Sequence, residues 1–463
     1  MNRYLGLLVW LAMFLTGIAV PSAMAQQPPT LETPQTQSDA IQGVSLSEMV
    51  MRRDSSFQWE IEHRGELEGC AYLQIDLISQ RWQGTPWRHA LFILNPPEVS
   101  SDQTHALMMI AGGSWQSQWD QTGPGKLPVP KELTLLARVA RDTQTPVAVL
   151  KHVPFQPMMN GRHEDALIAH TLKQYLDTKD PEWPLLPAMA RAASAAMDAI
   201  VSASKQQWGL ELANFTVTGA SKRGWTTYLV GAADPRVKAI APMVIDMLNL
   251  QPQMDHQLAA WGKYSPQIED YTRLGLQETL STPAGKPLRQ MIDPFEHRKQ
   301  LTMPKLILLG TNDPYWPADA SRFYYDELPS PRSLLNIPNN GHGLNDLPRI
   351  LGGITALHRS VCGGQPMPDW HGEWKPGKTG GVIVATSDRE PIAVTAWIAQ
   401  SNHRDFRDSQ WHPKPVAVSG DGKWRLEMPN PDSGSTAVML EARFETGDSF
   451  PLSLTTQVHV LSK

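Results

Sequence analysis

The stretch FTVTGASKRGW, Phe215–Trp225, sets an apolar strand against the start of a helix with only Gly219, Ala220 and Ser221 between them. A turn that tight accepts small residues, and a serine at its apex is carried beyond the end of the strand. That is the form of a nucleophile elbow. The spacing departs from the common G-x-S-x-G: Arg223 stands two residues after the serine, and the glycine follows at Gly224. Taken alone, the stretch also reads as a strand-to-helix turn whose serine caps the first helical amides.

Residues further along the chain decide between these readings. PKLILLGTNDPYW puts Asp313 just beyond an apolar strand, and SLLNIPNNGHG puts His342 in the loop after the last strand of the central region. The order Ser221, Asp313, His342 is that of nucleophile, acid and base in α/β hydrolases. Each residue follows the C-terminal end of a strand, where such sheets bind their ligands. A serine hydroxyl is a weak nucleophile until a neighbouring base takes its proton. His342 fits that base, and Asp313 fits the group that fixes its tautomer. Asp246, in PMVIDMLN, also follows a strand and is the rival acid. The loop glycines Gly341 and Gly343 are expected to let the chain turn sharply around His342.

An oxyanion hole needs two backbone amides aimed at the developing charge. The amide of Lys222, directly after the nucleophile, is the first candidate. Gly113 or Ser114, in the loop after LMMIAGG, offers the second. The side chains of Lys222 and Arg223 either attract an anionic substrate group or are solvated. Trp115, Trp225 and Trp316 are candidate pocket walls, with Trp119 and Tyr315 close to the same loops.

Working outward, FQWEIE, AYLQIDLISQRW and RHALFILNP alternate as antiparallel strands. From HALMMIAGG onward, apolar strands alternate with amphipathic helices. Helices are expected over Pro130–Arg141, His163–Asp177, Pro187–Ser204 and Leu347–Val361, with further helical stretches near Gln267–Leu280 and Lys286–Leu301. Strands alternating with helices predict a mostly parallel sheet covered on both faces. Beyond CGGQPMPDW the segments become short and alternating, separated by turn residues, as in an all-β sandwich-like domain. The expected organisation is an α/β-hydrolase domain over residues 43–363 and a β-sandwich-like domain over 364–463. The latter is expected to cover the mouth of the site or to bind a surface or polymer.

The N-terminus, MNRYLGLLVWLAMFLTGIAVPSAMA, carries Arg3, an apolar run from Leu5 to Val20, and Ala23 and Ala25. It reads as a secretory signal peptide over residues 1–25; the run is short for a membrane anchor, which needs about 20 apolar residues. Residues 26–42 read as a flexible leader. The protein is therefore expected to be exported, to the periplasm or the medium. In that setting Cys70 and Cys362, the 2 cysteines, are candidates for a disulfide. With neither C-x-x-C nor H-E-x-x-H in the sequence, no metal or other cofactor is expected. A net charge of -5 argues against a nucleic-acid binder.

The chain resembles the PhoPQ-activated pathogenicity-related protein family. The residues that carry the resemblance are HEDALIAHTL (163–172), VTGASKRGWTT (217–227), MVIDMLN (243–249), the long run from Asp293 to Pro329, IPNNGHGL (337–344) and HRDFRDSQW (403–411). The resemblance implies an α/β-hydrolase fold with a signal peptide and a β-rich C-terminal part. It also implies a nucleophile at Ser221, an acid at Asp313 and a base at His342. The S-x-x-G elbow is similar to that of glucuronoyl esterases. The family name describes regulation and supplies no substrate. The expected activity is hydrolysis of an ester or amide in a small-molecule or peptide substrate. The competing expectation is a non-catalytic secreted factor that uses the same scaffold to bind an envelope component or another protein. The sequence leaves the oligomeric state open.

Overall fold

The computed structural model describes residues 45–119 and 125–463. The expected signal peptide (residues 1–25) and leader (residues 26–42) lie outside them. The chain begins with helix α1 (Leu46–Met51) and three antiparallel strands, β1 (Gln58–Leu67), β2 (Cys70–Trp82) and β3 (Thr85–Asn95). Six more strands complete one sheet: β4 (His105–Ile110), β5 (Val147–Leu150), β6 (Asn214–Ala220), β7 (Val237–Met243), β8 (Lys305–Gly310) and β9 (Arg332–Ile337). The order across the sheet is β1-β2-β3-β5-β4-β6-β7-β8-β9. β3 runs antiparallel to β5, and from β5 onward all neighbours are parallel. This is an α/β-hydrolase sheet.

Burial follows from the residue types. Every residue of β5 and β8 is buried, as expected of strands covered on both faces. β1, at the edge, alternates exposed and half-buried positions. One face is covered by α3 (Glu164–Thr178), α4 (Leu185–Trp208) and α5 (Lys222–Ala233), and the other by α2 (Lys131–Thr143) and α10 (Leu347–Val361). Between β7 and β8 the chain makes α6 (Leu250–Trp261), α7 (Glu269–Thr272), α8 (Leu276–Leu280) and α9 (Lys286–Ile292). α4 is apolar almost all round and correspondingly buried. It ends where Gly209, at φ 72°, takes a left-handed cap.

The C-terminal strands are β10 (His371–Gly377), β11 (Gly380–Thr386), β12 (Ala393–Ser401), β13 (His412–Pro415), β14 (Trp424–Pro429), β15 (Ser435–Phe444), β16 (Leu452–Thr455) and β17 (His459–Ser462). They form two antiparallel sheets, β10-β11-β14 and β13-β12-β15-β16, with β17 also on β15. Leu440 and Phe444 of β15 and Leu452 of β16 share one core with Ile354 and Leu357 of α10. Asn336 of β9 donates through Nδ2 to Thr455 Oγ1 at 3.1 Å. The β-rich part is thus packed into the hydrolase fold.

The expected disulfide is not formed. Cys70 and Cys362 are both free thiols. Cys70 Sγ lies 3.9 Å from the Glu68 carbonyl, and Cys362 Sγ sits 3.7 Å from His358 Nε2. Each sulfur is packed among its own neighbours, and burial pushes both thiols up, that of Cys362 to about 12.

Candidate active site

Ser221 joins β6 to α5 with φ 59° and ψ -124°. A non-glycine residue in such a conformation costs about 1–3 kcal/mol and persists only where its surroundings hold it. Here the Ser221 amide donates to the Met243 carbonyl at 2.9 Å, and its own carbonyl accepts from the Trp225 amide at 2.9 Å. The alternative role as a helix cap is not found, because the hydroxyl caps no helical amide. The displaced glycine also has a physical reason. A Cβ on Gly224 would stand 2.7 Å from the Met243 carbonyl oxygen and 2.9 Å from the Ile245 side chain. The tight approach to the neighbouring strand falls one residue later than in G-x-S-x-G. Position 223 is free to carry an arginine, whose guanidinium forks onto Glu164 at 2.8 and 2.6 Å.

The loops after β8 and β9 bring the imidazole and a carboxylate to this elbow. His342 Nε2 lies 2.8 Å from Ser221 Oγ, and His342 Nδ1 lies 2.8 Å from Asp313 Oδ2. The other Asp313 oxygen accepts from the Tyr315 amide at 2.8 Å. The Tyr315 ring stacks on the imidazole, with centroids 4.1 Å apart. Asp246 is not the imidazole's partner. It accepts from Tyr324 Oη at 2.6 Å. Burial raises its carboxyl to about 8, against that hydrogen bond and helped by the charges of Asp313 and Asp319.

Gly341 and Gly343 do not make the turn expected of them. The positive φ values fall on Asn339 (57°) and Leu344 (39°). The glycine that the base loop requires is Gly310, at the end of β8, where a Cβ would stand 2.4 Å from the Asn340 carbonyl oxygen. Both loops are also held from behind. Asn312, next to the acid, donates through Nδ2 to the carbonyls of Phe406 (3.1 Å), Arg407 (3.1 Å) and Ser409 (2.7 Å). Asn339 donates to the Trp411 carbonyl at 3.0 Å and accepts from the Trp411 amide at 2.7 Å. Sequence reasoning assigned no role to either asparagine; the run HRDFRDSQW was the one available signal.

The amides of Lys222, at the first position of α5, and of Gly113 and Ser114 donate to no acceptor among the described residues. Gly113 adopts φ 118°, which a side chain would strain. The cations beside the elbow are neither solvated nor free for an anion. Lys222 Nζ pairs with Asp165 Oδ2 at 2.6 Å, and Arg223 is committed to Glu164. Burial alone would raise the Glu164 carboxyl, but the Arg223 hydrogen bonds and charge outweigh it and hold the group at about 2. Asp165 also accepts from Tyr271 Oη at 2.8 Å.

Ser221, Lys222 and His342 border a cavity of about 790 Å³, including its open mouth. Its walls are almost wholly apolar and come from α3, α5, the β7–β8 insertion and the acid loop; Leu172, Met247, Leu250, Met254 and Leu280 contribute. Trp225 and Trp316 line it as expected. Trp115 does not. It is buried in another aromatic cluster, 5.0 Å from Trp119 and 5.6 Å from His152 between ring centres. Among the described residues the C-terminal sheets contribute nothing to this lining; their link to the site runs through Asn312 and Asn339. Among the described residues no group of three or more His, Cys, Asp or Glu side chains is arranged to hold a metal ion.

Sheet order, strained serine turn and the placement of acid and base loops define an α/β-hydrolase fold. Residues 46–407 match the model of the PhoPQ-activated pathogenicity-related protein family, and the chain belongs to that family. It is 29% identical over 457 residues to Autocrine proliferation repressor protein A of Dictyostelium discoideum, covering 90% of each chain. Among solved structures it is similar to acetyl xylan esterase 1 from a Thermoanaerobacterium species, with 17% identity and a TM-score of 0.45 over 67% of this chain and 91% of that one. A glucuronoyl esterase from Solibacter usitatus gives 12% identity and a TM-score of 0.37 over 66% and 87%. Likenesses this distant carry no inference about substrate.

Proposed function

We propose that the protein is an exported serine hydrolase that cleaves an ester or amide through an acyl-enzyme on Ser221. The observation that carries the reading is the continuous relay from Ser221 Oγ through the imidazole to Asp313, with 2.8 Å at each step. His342 takes the hydroxyl proton through Nε2 as Ser221 attacks, then returns it to the leaving group. Asp313 accepts from Nδ1–H, keeps the other nitrogen basic, and stabilises the imidazolium that forms. Stacked Tyr315 fixes the plane of the ring. The amide of Lys222, with that of Gly113 or Ser114, receives the oxyanion. A water then repeats the sequence and releases the acid. The strained Ser221 backbone favours catalysis over a purely binding scaffold, which gains nothing from that strain. Export rests on the signal-peptide reading of residues 1–25.

A fluorophosphonate probe tests the assignment. The wild-type chain is expected to be labelled at Ser221 and Ser221→Ala to be unlabelled while keeping its fold. A wild-type protein that resists labelling from pH 6 to 9 would overturn it.

A further inference from the structure

The structure assigns the acyl side of the substrate: we infer that the acyl group held on Ser221 is an uncharged apolar chain several carbons long, seated in the cavity beside the nucleophile. The inference rests on the hydrolase reading and deepens it.

The cavity wall is chemically uniform. Leu172, Met254, Leu276, Leu280 and Ile292 give it an aliphatic wall, and Trp225 and Trp316 add aromatic surface. An acetyl group would leave most of this apolar wall uncovered, and apolar surface left uncovered forfeits both transfer free energy and dispersion contacts. In an acyl-enzyme mechanism the leaving group must depart before water arrives, so an apolar cavity beside the nucleophile suits the part that stays attached to the serine.

The charged residues at the cavity narrow the class further. Lys222 and Asp165 both border it, yet they neutralise each other at 2.6 Å. Asp165 has its second oxygen engaged by Tyr271. Among the described residues at the cavity, a carboxylate on the acyl chain would find no free cation, and an α-ammonium group would find no free carboxylate. Desolvating either without a partner is strongly unfavourable. Plain aliphatic acyl groups are favoured over dicarboxylic acyl groups and over aminoacyl groups with a free amine.

The test uses the full chain and nitrophenyl esters from acetate to octanoate, with the succinyl hemi-ester and a free-amine leucyl ester as charged counterparts. The specificity constant kcat/KM is expected to rise about fourfold for each methylene that reaches the cavity. The charged esters should fall at least tenfold below neutral esters of similar length. Met254→Trp and, independently, Leu280→Trp fill the cavity and should lower the octanoyl-to-acetyl ratio by tenfold or more. Labelling rates with fluorophosphonates of increasing alkyl length supply the same comparison without turnover. Rates that stay flat or fall beyond acetyl, on a protein that a small fluorophosphonate labels at Ser221, overturn the acyl-chain inference and leave the hydrolase reading standing. Failure of every fluorophosphonate to label Ser221 removes both.

Discussion

Asn312→Asp tests whether the C-terminal part holds the acid loop in its working position. The exchange keeps the shape of the side chain and removes its donors. In the native protein two N–H bonds serve three carbonyls, those of Phe406, Arg407 and Ser409, at 3.1, 3.1 and 2.7 Å. Two hydrogens make about two full bonds, each contributing roughly 1 kcal/mol net, so their loss costs about 2 kcal/mol. The carboxylate then faces three carbonyl oxygens with nothing to donate, which raises the total to roughly 3–5 kcal/mol. Asn312→Ala lacks the added repulsion and should cost only about 2 kcal/mol. Because Asp313 is the adjacent residue, a shift of the loop near 1 Å is expected to slow labelling of Ser221 by about 10²-fold. Urea titration gives the first quantity, and fluorophosphonate labelling under fully folding conditions gives the second. If Asn312→Asp keeps the wild-type urea midpoint and labels within twofold of the wild-type rate, the bracing argument is wrong.

Four further expectations follow from the site and the core. Asp313→Asn should lower kcat about 10³–10⁴-fold by favouring the wrong imidazole tautomer, whereas Asp246→Asn should stay within tenfold; the reverse ranking would make Asp246 the acid. Because the Asp246 carboxyl is raised to about 8, against about 3.9 in the unfolded chain, the folded state binds the extra proton between those values; its contribution to wild-type stability should fall as pH rises from about 4 to 8 and level off above it, and the stability of Asp246→Asn relative to wild type should rise over the same range in urea titrations. Gly224→Ala would force a Cβ to 2.7 Å from the Met243 carbonyl and should cost about 1–3 kcal/mol together with most of the activity; Gly420→Ala, with nothing within 4 Å, is the neutral control, and equal melting temperatures for the two would sink the steric argument. Burial holds the imidazoles of His89, His152 and His358 at about 4, 3 and 3, against about 6.5 in the unfolded chain; the unfolded state therefore binds more protons as pH falls below 6.5, and stability present above that pH should be lost toward pH 4 with a limiting slope of roughly 4 kcal/mol per unit, so an unchanged urea midpoint between pH 7.5 and 5 would contradict it.

The sequence made Ser221, Asp313 and His342 legible because each stands within four residues after a run such as VTGA, LILLG or LLNIP, and strand ends are visible as changes in apolar pattern. The glycines of the elbow and of the first loop were readable for the same local reason. Contacts between distant parts of the chain were not. Asn312 meets residues 406–409 across more than ninety positions, and neither segment announces the other. Lys222 looked like a free cation until Asp165, on a different helix, was brought against it. Trp115 and Trp225 carry the same side chain near equally suggestive glycines, and only packing separates a buried cluster from a cavity wall. Gly341 and Gly343 were given a turn that Asn339 makes, because asparagine also tolerates the left-handed region.

The tie between the acid and base loops and residues 406–411 imposes an order in time. Every member of the relay precedes that clamp in the chain and is therefore made before it. On the proposed reading the acid and base loops gain their full brace, and the chain its full activity, only once residues 406–411 have been made and docked.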